Sequence, residues 1–293
     1  MIENKKFKIA GLGEVLWDIF PDAKKLGGAP ANFSAHAQQL GAKSYILSAV
    51  GKDDLGKSAI ELLEGALLDI SGLQINDTHA TGSVRVSLDE SGIPTYTFEE
   101  DVAWDHIQFE ITQKKIAQCL DAICFGTLAQ RNVISQNTIF KILKATPENC
   151  LRVFDVNFRK DYYNPEMLFQ SLELANVVKM NEEEFLEIIS LFNLPSNPSK
   201  GLEALMYQFD LKFCILSLGK KGSIMISKAH YSIYDSAEPI IVKSTVGAGD
   251  AFTAAAVMGW LNQKPLDQIN KEASRIAAYV CTQLEAVPVI KHI

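Results

Sequence analysis

Short apolar runs alternate along this chain with stretches of helical periodicity. KFKIAGL, YILSAV, DAICFG, LRVFDV, NVVKM and FCILSL read as buried strands. Residues 31–40 and 57–68 carry apolar side chains at helical spacing, and helical patterns follow DAICFG, LRVFDV and NVVKM. Strands alternating with helices predict βα units, a mostly parallel sheet and an α/β fold.

Two regions break this rhythm. Residues 81–98, TGSVRVSLDESGIPTYTF, alternate with period two around a DESGIP turn, which is a hairpin signal. Residues 14–26 read as a strand-like EVLWDIFP followed by a polar turn. Together they predict either a small β appendage or ordinary edge strands. Residues 223–234 read as an antiparallel pair near the sheet edge, and LFNLPSNPSKG reads as a surface loop. No linker divides the chain, so residues 1–293 are expected to form one domain.

Composition narrows the class. Of 293 residues, 47% are hydrophobic and 22% charged, which is ordinary for a globular protein. The net charge of −7 argues against a nucleic-acid or acidic membrane surface. No apolar run reaches the roughly 18 residues a membrane helix needs. The five cysteines, Cys119, Cys124, Cys150, Cys214 and Cys281, form no C-x-x-C pair and sit mostly among apolar neighbours. They predict buried packing rather than disulfides or zinc, and a cytoplasmic location.

Three glycine clusters compete for a phosphate. GKDDLGKS, residues 51–58, satisfies the phosphate-loop pattern G-x-x-x-x-G-K-[ST]. Asp53 and Asp54, however, would sit inside the wrap and oppose its field. The competing reading is a strand–turn–helix junction with an Asp cap. TVGAGDAF at residues 245–252 is followed by an apolar helical pattern. Gly247, Ala248 and Gly249 would let an anion approach the free N–H groups of a helix start. Asp250 beside them is the residue type that accepts a proton from an attacking hydroxyl. A bare capping Asp after a Gly turn fits the same six residues. SLGKKGS, residues 217–223, ends a buried strand and reads either as a nucleotide-approach loop or as a hairpin turn. GLG at residues 11–13 is no dinucleotide fingerprint, because Leu16 stands at the third glycine position.

Taken in order, these motifs resemble the ribokinase-like, PfkB-type family of carbohydrate kinases. GGAPANFSAHAQQLGAKSYILSAVG, residues 27–51, matches one family signature, and G-A-G-D at residues 247–250 matches the second. G-x-D-x-x-G at Gly51, Asp53 and Gly56 matches as well, and makes GKDDLGKS a structural turn of the family. D-x-N-x-R at Asp155, Asn157 and Arg159, N-x-x-E at Asn181 and Glu184, and S-L-G-x-x-G from Ser217 follow in family order. GEVLWDIFP followed by KLGGAPANF is most similar to fructokinases.

The resemblance implies a Rossmann-like three-layer α/β/α sandwich with a small β-sheet lid, formed by about residues 14–25 and 81–98. It implies ATP and Mg²⁺, and transfer to a primary hydroxyl of a sugar, for a fructokinase O6 of D-fructose. Asp250 would be the base, with Gly247, Ala248 and Gly249 forming the anion hole. Asp18, Gly28, Asn32 and Arg159 would hold substrate. Asn181, Glu184, Ser217, Gly219, Gly222 and Ser274 would face the nucleotide, with Glu184 holding Mg²⁺ through water. Ser244 stands where many members carry an Asp that helps bind a monovalent cation, which leaves K⁺ open. Glu285 stands where glycine is common, and Ser274 where Asn often contacts adenine. A homodimer through the lid is a further expectation; Trp104 and Phe98 read either as walls of the sugar pocket or, at least as well, as core packing. A kinase for 2-keto-3-deoxygluconate or ribose, a non-catalytic sugar-binding regulator, and a phosphate-loop NTPase are the competing expectations.

Overall fold

The computed structural model describes residues 6–88, 94–236 and 239–290. In chain order its strands are β1 (Lys8–Leu12), β2 (Leu16–Ile19), β3 (Lys24–Gly27), β4 (Lys43–Gly51), β5 (Leu73–Asn76), β6 (Gly82–Leu88), β7 (Pro94–Phe98), β8 (Ala122–Phe125), β9 (Leu151–Asp155), β10 (Val177–Asn181), β11 (Phe213–Ser217), β12 (Ser223–Ser227) and β13 (Tyr231–Tyr234). Its helices are α1 (Ala29–Gln39), α2 (Asp54–Gly65), α3 (Ile111–Ala117), α4 (Val133–Ala145), α5 (Pro165–Leu174), α6 (Glu182–Leu191), α7 (Pro198–Gln208), α8 (Ala248–Leu261) and α9 (Leu266–Cys281).

The large sheet runs β13-β12-β11-β10-β9-β8-β1-β4-β5. From β11 through β5 every pairing is parallel, and β12 and β13 close one edge antiparallel. The strands are apolar on both faces because helices cover both faces. In β4, Ile46 and Val50 pack toward α1 and α2, while Tyr45, Leu47 and Ala49 join the core on the other side. That second core takes residues from α4 through α7, such as Ile139, Leu168, Phe185 and Leu202. The opposite face packs Phe33 of α1 against Ala254, Val257 and Ile276 of α8 and α9. This is the expected three-layer α/β/α sandwich.

α8 is buried without interruption from Ala251 to Gly259, which explains why its sequence, AFTAAAVMG, lacks a polar stripe. Its alanines let α1 and α9 approach it closely. Helix starts follow their sequence signals. Pro165 and Pro198 open α5 and α7, where a missing N–H costs nothing, and Asn164 and Asn197 cap them. LFNLPSNPSKG is therefore only partly a loop, since its tail is the first turn of α7.

A second sheet, ordered β3-β2-β6-β7, stands apart from the first. The two rhythm-breaking segments thus form one small appendage rather than edge strands of the main sheet. β6 and β7 pair antiparallel, as the period-two pattern predicts. Most of the expected DESGIP turn, residues 89–93, lies outside the described residues. Glu14, at the start of the expected appendage, instead lies buried just beyond β1.

Of the two readings of Trp104, the structure takes core packing: it is 1% exposed, with the Arg131 guanidinium 4.0 Å from its ring. The cysteines depart in part from expectation. Cys119 is exposed and Cys281 half-buried, while Cys124, Cys150 and Cys214 are buried as expected. Among the described residues, no helix is long and apolar enough to cross a membrane.

Candidate active site

Glu14, Asp155, Asn181 and Ser217 lie at or just past the carboxyl ends of β1, β9, β10 and β11. In open α/β sheets this edge is where ligands bind, because strand order reverses and leaves a crevice. The first turns of α1 and α8 enter the same region.

The start of α8 is shaped by Gly247. Its φ of 82° is left-handed, and a Cβ there would lie 2.1 Å from the Ala286 carbonyl oxygen. Only glycine fits both the conformation and the space. The turn delivers Ala248, Gly249 and Asp250 as the first helical residues, where backbone N–H groups lack helical partners. Asp250, half-buried, accepts a 2.9 Å hydrogen bond from Nδ2 of Asn32, which is itself buried in α1. Desolvation, reinforced by the neighbouring Asp155 carboxylate, pushes the Asp250 carboxyl up to about 6. Asn32, Lys179 and Arg159 pull the other way. The result is a carboxylate at neutral pH that is far more basic than an exposed one.

Behind it lies a buried polar cluster that sequence reasoning did not assemble. Lys179 Nζ is 2.9 Å from Asp155 Oδ1. The Thr253 hydroxyl lies 2.9 Å from both Asp155 Oδ2 and the Gly249 carbonyl oxygen. A Cβ placed on Gly249 would sit 3.1 Å from Lys179 Nζ, so the ammonium packs directly beneath the start of α8. Burial alone would pull Lys179 down, but Asp155, Glu184 and Asp250 outweigh it and hold the ammonium above its ordinary range. A positive charge therefore sits beneath the start of α8. NVVKM reads only as an apolar strand, and nothing in its spacing marks the lysine.

Glu14 is the second residue that sequence reasoning missed. Its Oε1 accepts from the Ala29 N–H at 3.2 Å, while Oε2 is buried without a partner among the described residues. Gly28 has φ 108°, and a Cβ on it would meet the Glu14 carbonyl oxygen at 2.4 Å, so glycine is required there too. Burial pushes Glu14 from 4.5 up to about 7. The folded protein therefore holds a proton there that the unfolded chain has lost. This contribution to stability is complete below pH 4.5 and disappears as pH rises toward 7. Glu14→Gln should accordingly be more stable than wild type at pH 7.5, relative to the same comparison at pH 4.5. Urea midpoints measured across that range check this, and a constant difference between the two proteins would refute it.

The other expected residues fall in two groups. Asp18 of β2 is half-buried, its carboxyl raised by desolvation and lowered by Arg159 and Lys25. Arg159 is exposed, donates to the Phe158 carbonyl at 3.0 Å, and its charge acts on Glu14, Asp18 and Asp250 alike. Asp18, Gly28, Asn32, Arg159 and Asp250 thus belong to one neighbourhood. Asn181 and Glu184 form a reciprocal cap on α6. Asn181 Oδ1 accepts from the Glu184 N–H at 2.9 Å, and Glu184 Oε2 accepts from the Asn181 N–H at 2.8 Å. Glu184 Oε1 also accepts from the Phe158 N–H at 3.1 Å, and burial raises its carboxyl. Ser217 pairs in register with Asn181 on one side and Ser223 on the other. Gly219 and Gly222 shape the turn that follows, and the Ser274 hydroxyl of α9 lies 2.9 Å from that of Ser223. Ser244 Oγ accepts from the Val246 N–H at 3.2 Å in the loop before α8. Lys25 Nζ donates to the Leu284 carbonyl at 2.9 Å, beside Glu285, and so ties the small sheet to the segment after α9.

GKDDLGKS is a junction. Asp53 caps α2 by accepting from the Gly56 N–H at 2.7 Å, a contact worth about 1 kcal/mol. It also accepts from the Thr81 N–H and hydroxyl at 2.8 and 2.7 Å, fixing the residue from which β6 departs. Its carboxylate is spent on backbone, and Lys57 is exposed.

The profile of pfkB family carbohydrate kinases matches residues 20–292 of this chain. The fructokinase of Salmonella typhimurium is 28% identical over 291 residues, covering 94% of this chain and 92% of the relative. The 5-dehydro-2-deoxygluconokinase of Lacticaseibacillus casei is 28% identical over 280 residues, covering 91% and 84%. The crystal structure of an uncharacterized sugar kinase, PH1459 of Pyrococcus horikoshii, in complex with ATP superimposes with a TM-score of 0.79 at 28% identity, covering 95% of this chain and 93% of that one. A carboxylate and free N–H groups at the start of α8, on a sandwich shared with these enzymes, mark this chain as a sugar kinase belonging to the pfkB family of carbohydrate kinases.

Proposed function

We propose that the protein is an ATP-dependent fructokinase that phosphorylates the O6 hydroxyl of D-fructose to give fructose 6-phosphate. The observation that carries this reading is Asp250, raised to about 6 and held by Asn32 at the N-terminus of α8. Its pKa is low enough for the carboxylate to be present at neutral pH, yet high enough to take a hydroxyl proton efficiently. The N–H groups of Gly247, Ala248 and Gly249, with Lys179 beneath them, stabilise charge on the transferring phosphoryl. Asp18, Asn32 and the backbone at Gly28 bind sugar hydroxyls, since polyols need both donors and acceptors. Arg159 closes over the phosphates or the sugar. Ser217, Gly219, Gly222 and Ser274 line the nucleotide pocket.

The donor set at Asn181 and Glu184 is all oxygen, which suits Mg²⁺ bound through its waters. Each Glu184 oxygen accepts one backbone N–H and keeps a lone pair for such a water. When bound, Mg²⁺ neutralises charge on the phosphates. Ser244 brings a hydroxyl in place of a carboxylate, so any K⁺ would be held more weakly. The chain works as one kinase domain, residues 1–293, with the small sheet as a lid that excludes water. Among the described residues β3 and β7 are the edge strands of that sheet, which suits a homodimer through the lid.

The 5-dehydro-2-deoxygluconokinase relative favours a second reading, in which the acceptor is another sugar or sugar acid. A coupled assay of ADP release over D-fructose, D-ribose, 2-keto-3-deoxygluconate, 5-dehydro-2-deoxygluconate and fructose 6-phosphate tests both. Fructose should give the highest kcat/KM. A higher value for any other acceptor replaces the assignment, and sugar binding without turnover on the whole panel would make the protein a regulator.

A further inference from the structure

His79 and His106 flank β6 and β7 of the small sheet in sequence. One lies just before β6, the other just after β7, and Asp101 lies between them. Their side chains meet. The imidazole rings stack with centroids 3.6 Å apart at 18°, and both Nε2 atoms face one oxygen of Asp101. His106 Nε2 lies 2.6 Å from Asp101 Oδ1 and His79 Nε2 lies 3.6 Å from it. The three donor atoms fall within 4.8 Å of one another.

We propose that His79, His106 and Asp101 bind a divalent transition-metal ion, zinc being the abundant case, at the base of the small sheet. Nothing in the sugar-kinase reading uses these residues. Three features build the site. First, the donors are two imidazoles and one carboxylate, the set that suits zinc, cobalt, nickel or copper and not magnesium, which prefers an all-oxygen shell. Three protein ligands with water in the remaining position is an established zinc arrangement.

Second, His79 is oriented from behind. Its Nδ1 lies 3.2 Å from Asn76 Oδ1 and 3.0 Å from Thr78 Oγ1. Asn76 Oδ1 also accepts from the backbone N–H groups of Thr78 and His79, both at 2.9 Å. A carbonyl oxygen on Nδ1 fixes the proton there and leaves the Nε2 lone pair facing Asp101. Such outer partners orient ligating histidines in known metal sites.

Third, Asp101 is delivered by a left-handed backbone, φ 55°, which directs its short side chain back toward the two rings. Its carboxylate is 72% exposed, while His79 and His106 are 25% and 15% exposed, so an ion can enter from solvent and still lie against protein. Coordination would move the His106 proton from Nε2 to Nδ1. A rotation of one ring about χ2 would open the stack and aim both lone pairs at one point.

The site would close a short circuit. Ala103 N–H already donates to the Ala80 carbonyl at 2.8 Å, joining the segment that enters β6 to the one that leaves β7. A metal on His79, Asp101 and His106 would cross-link the same two segments through side chains.

The test uses the full chain with any affinity tag removed, stripped with EDTA and titrated with ZnCl₂ by calorimetry. Zinc content is measured after gel filtration, and Co²⁺ is added separately to read its visible absorption. Wild type should bind one equivalent. His106→Gln and Asp101→Asn should each weaken binding by about 10–100-fold or more. His79→Gln is the reserve variant should either fail to fold. Zinc should also raise the thermal unfolding midpoint of wild type and of none of these variants. Turnover by the metal-stripped variants in Mg²⁺ and ATP should equal that of wild type, because these side chains lie outside the proposed catalytic machinery. Wild type that retains no zinc overturns the proposal, as do variants that bind with wild-type stoichiometry and affinity.

Discussion

Asp250→Asn should lower kcat by about 10²–10⁴-fold, the usual contribution of a positioned general base. The substitution keeps shape and can keep a hydrogen bond to Asn32, so the fold and the α8 turn should survive. ATP binding should survive too, because the N–H groups of the turn are backbone. The expected signature is therefore a loss in kcat with little change in the KM for ATP. Wild type should show the complementary pH behaviour. Its kcat should fall as pH drops through about 6, where the carboxylate becomes protonated, and rise to a plateau above. Steady-state kinetics from pH 5 to pH 8 report both results. A variant with near wild-type kcat would remove Asp250 from the chemistry and return it to the role of a capping residue.

Lys179→Met should be the most destabilising single change near the site. It leaves the buried Asp155 carboxylate without its partner, and breaking a buried pair from one side costs about 3–5 kcal/mol. Thr253 still donates to Asp155, which softens the loss without replacing the charge. Activity should change in a distinctive way. Lys179 holds Asp250 down, so its removal should shift the acid limb of the kcat profile to higher pH. Adding Asp155→Asn should recover part of the stability, because the stranded charge is gone. Urea unfolding of the two single variants and the double variant measures the coupling. A loss below about 1 kcal/mol for Lys179→Met would mean that the pair is solvated and that no fixed cation lies beneath α8.

Much of the architecture was legible in the chain because its causes are local. β4 and β8 through β11 are apolar runs of strand length, and no polar periodicity competes with them. Asp53 announced the start of α2, although the helix begins at Asp54 and not at Lys57. The period-two alternation of residues 81–98 fixed β6 and β7, but pattern alone left open which sheet they join. That choice depends on β2 pairing with β6 across a long stretch of intervening chain. Exposure of Cys119 escaped the pattern for a related reason. Apolar neighbours in sequence do not say which side of a helix or turn meets the core.

At the candidate site, the sequence by itself determined the groups whose role is set within a few residues. Gly247 must be glycine to turn the chain, Asp250 must follow in the first turn of α8, and Asn181 with Glu184 must cap α6. Such features rest on backbone geometry, which local sequence dictates. Only the tertiary structure decided that Asn32 reaches Asp250, that Lys179 lies between Asp155 and Gly249, and that Glu14 is buried enough to hold a proton near neutral pH. Those outcomes depend on burial and on charges brought together from distant strands. The free energy of an ionised group is set by the solvent and charges within a few ångströms of it, whatever their separation along the chain.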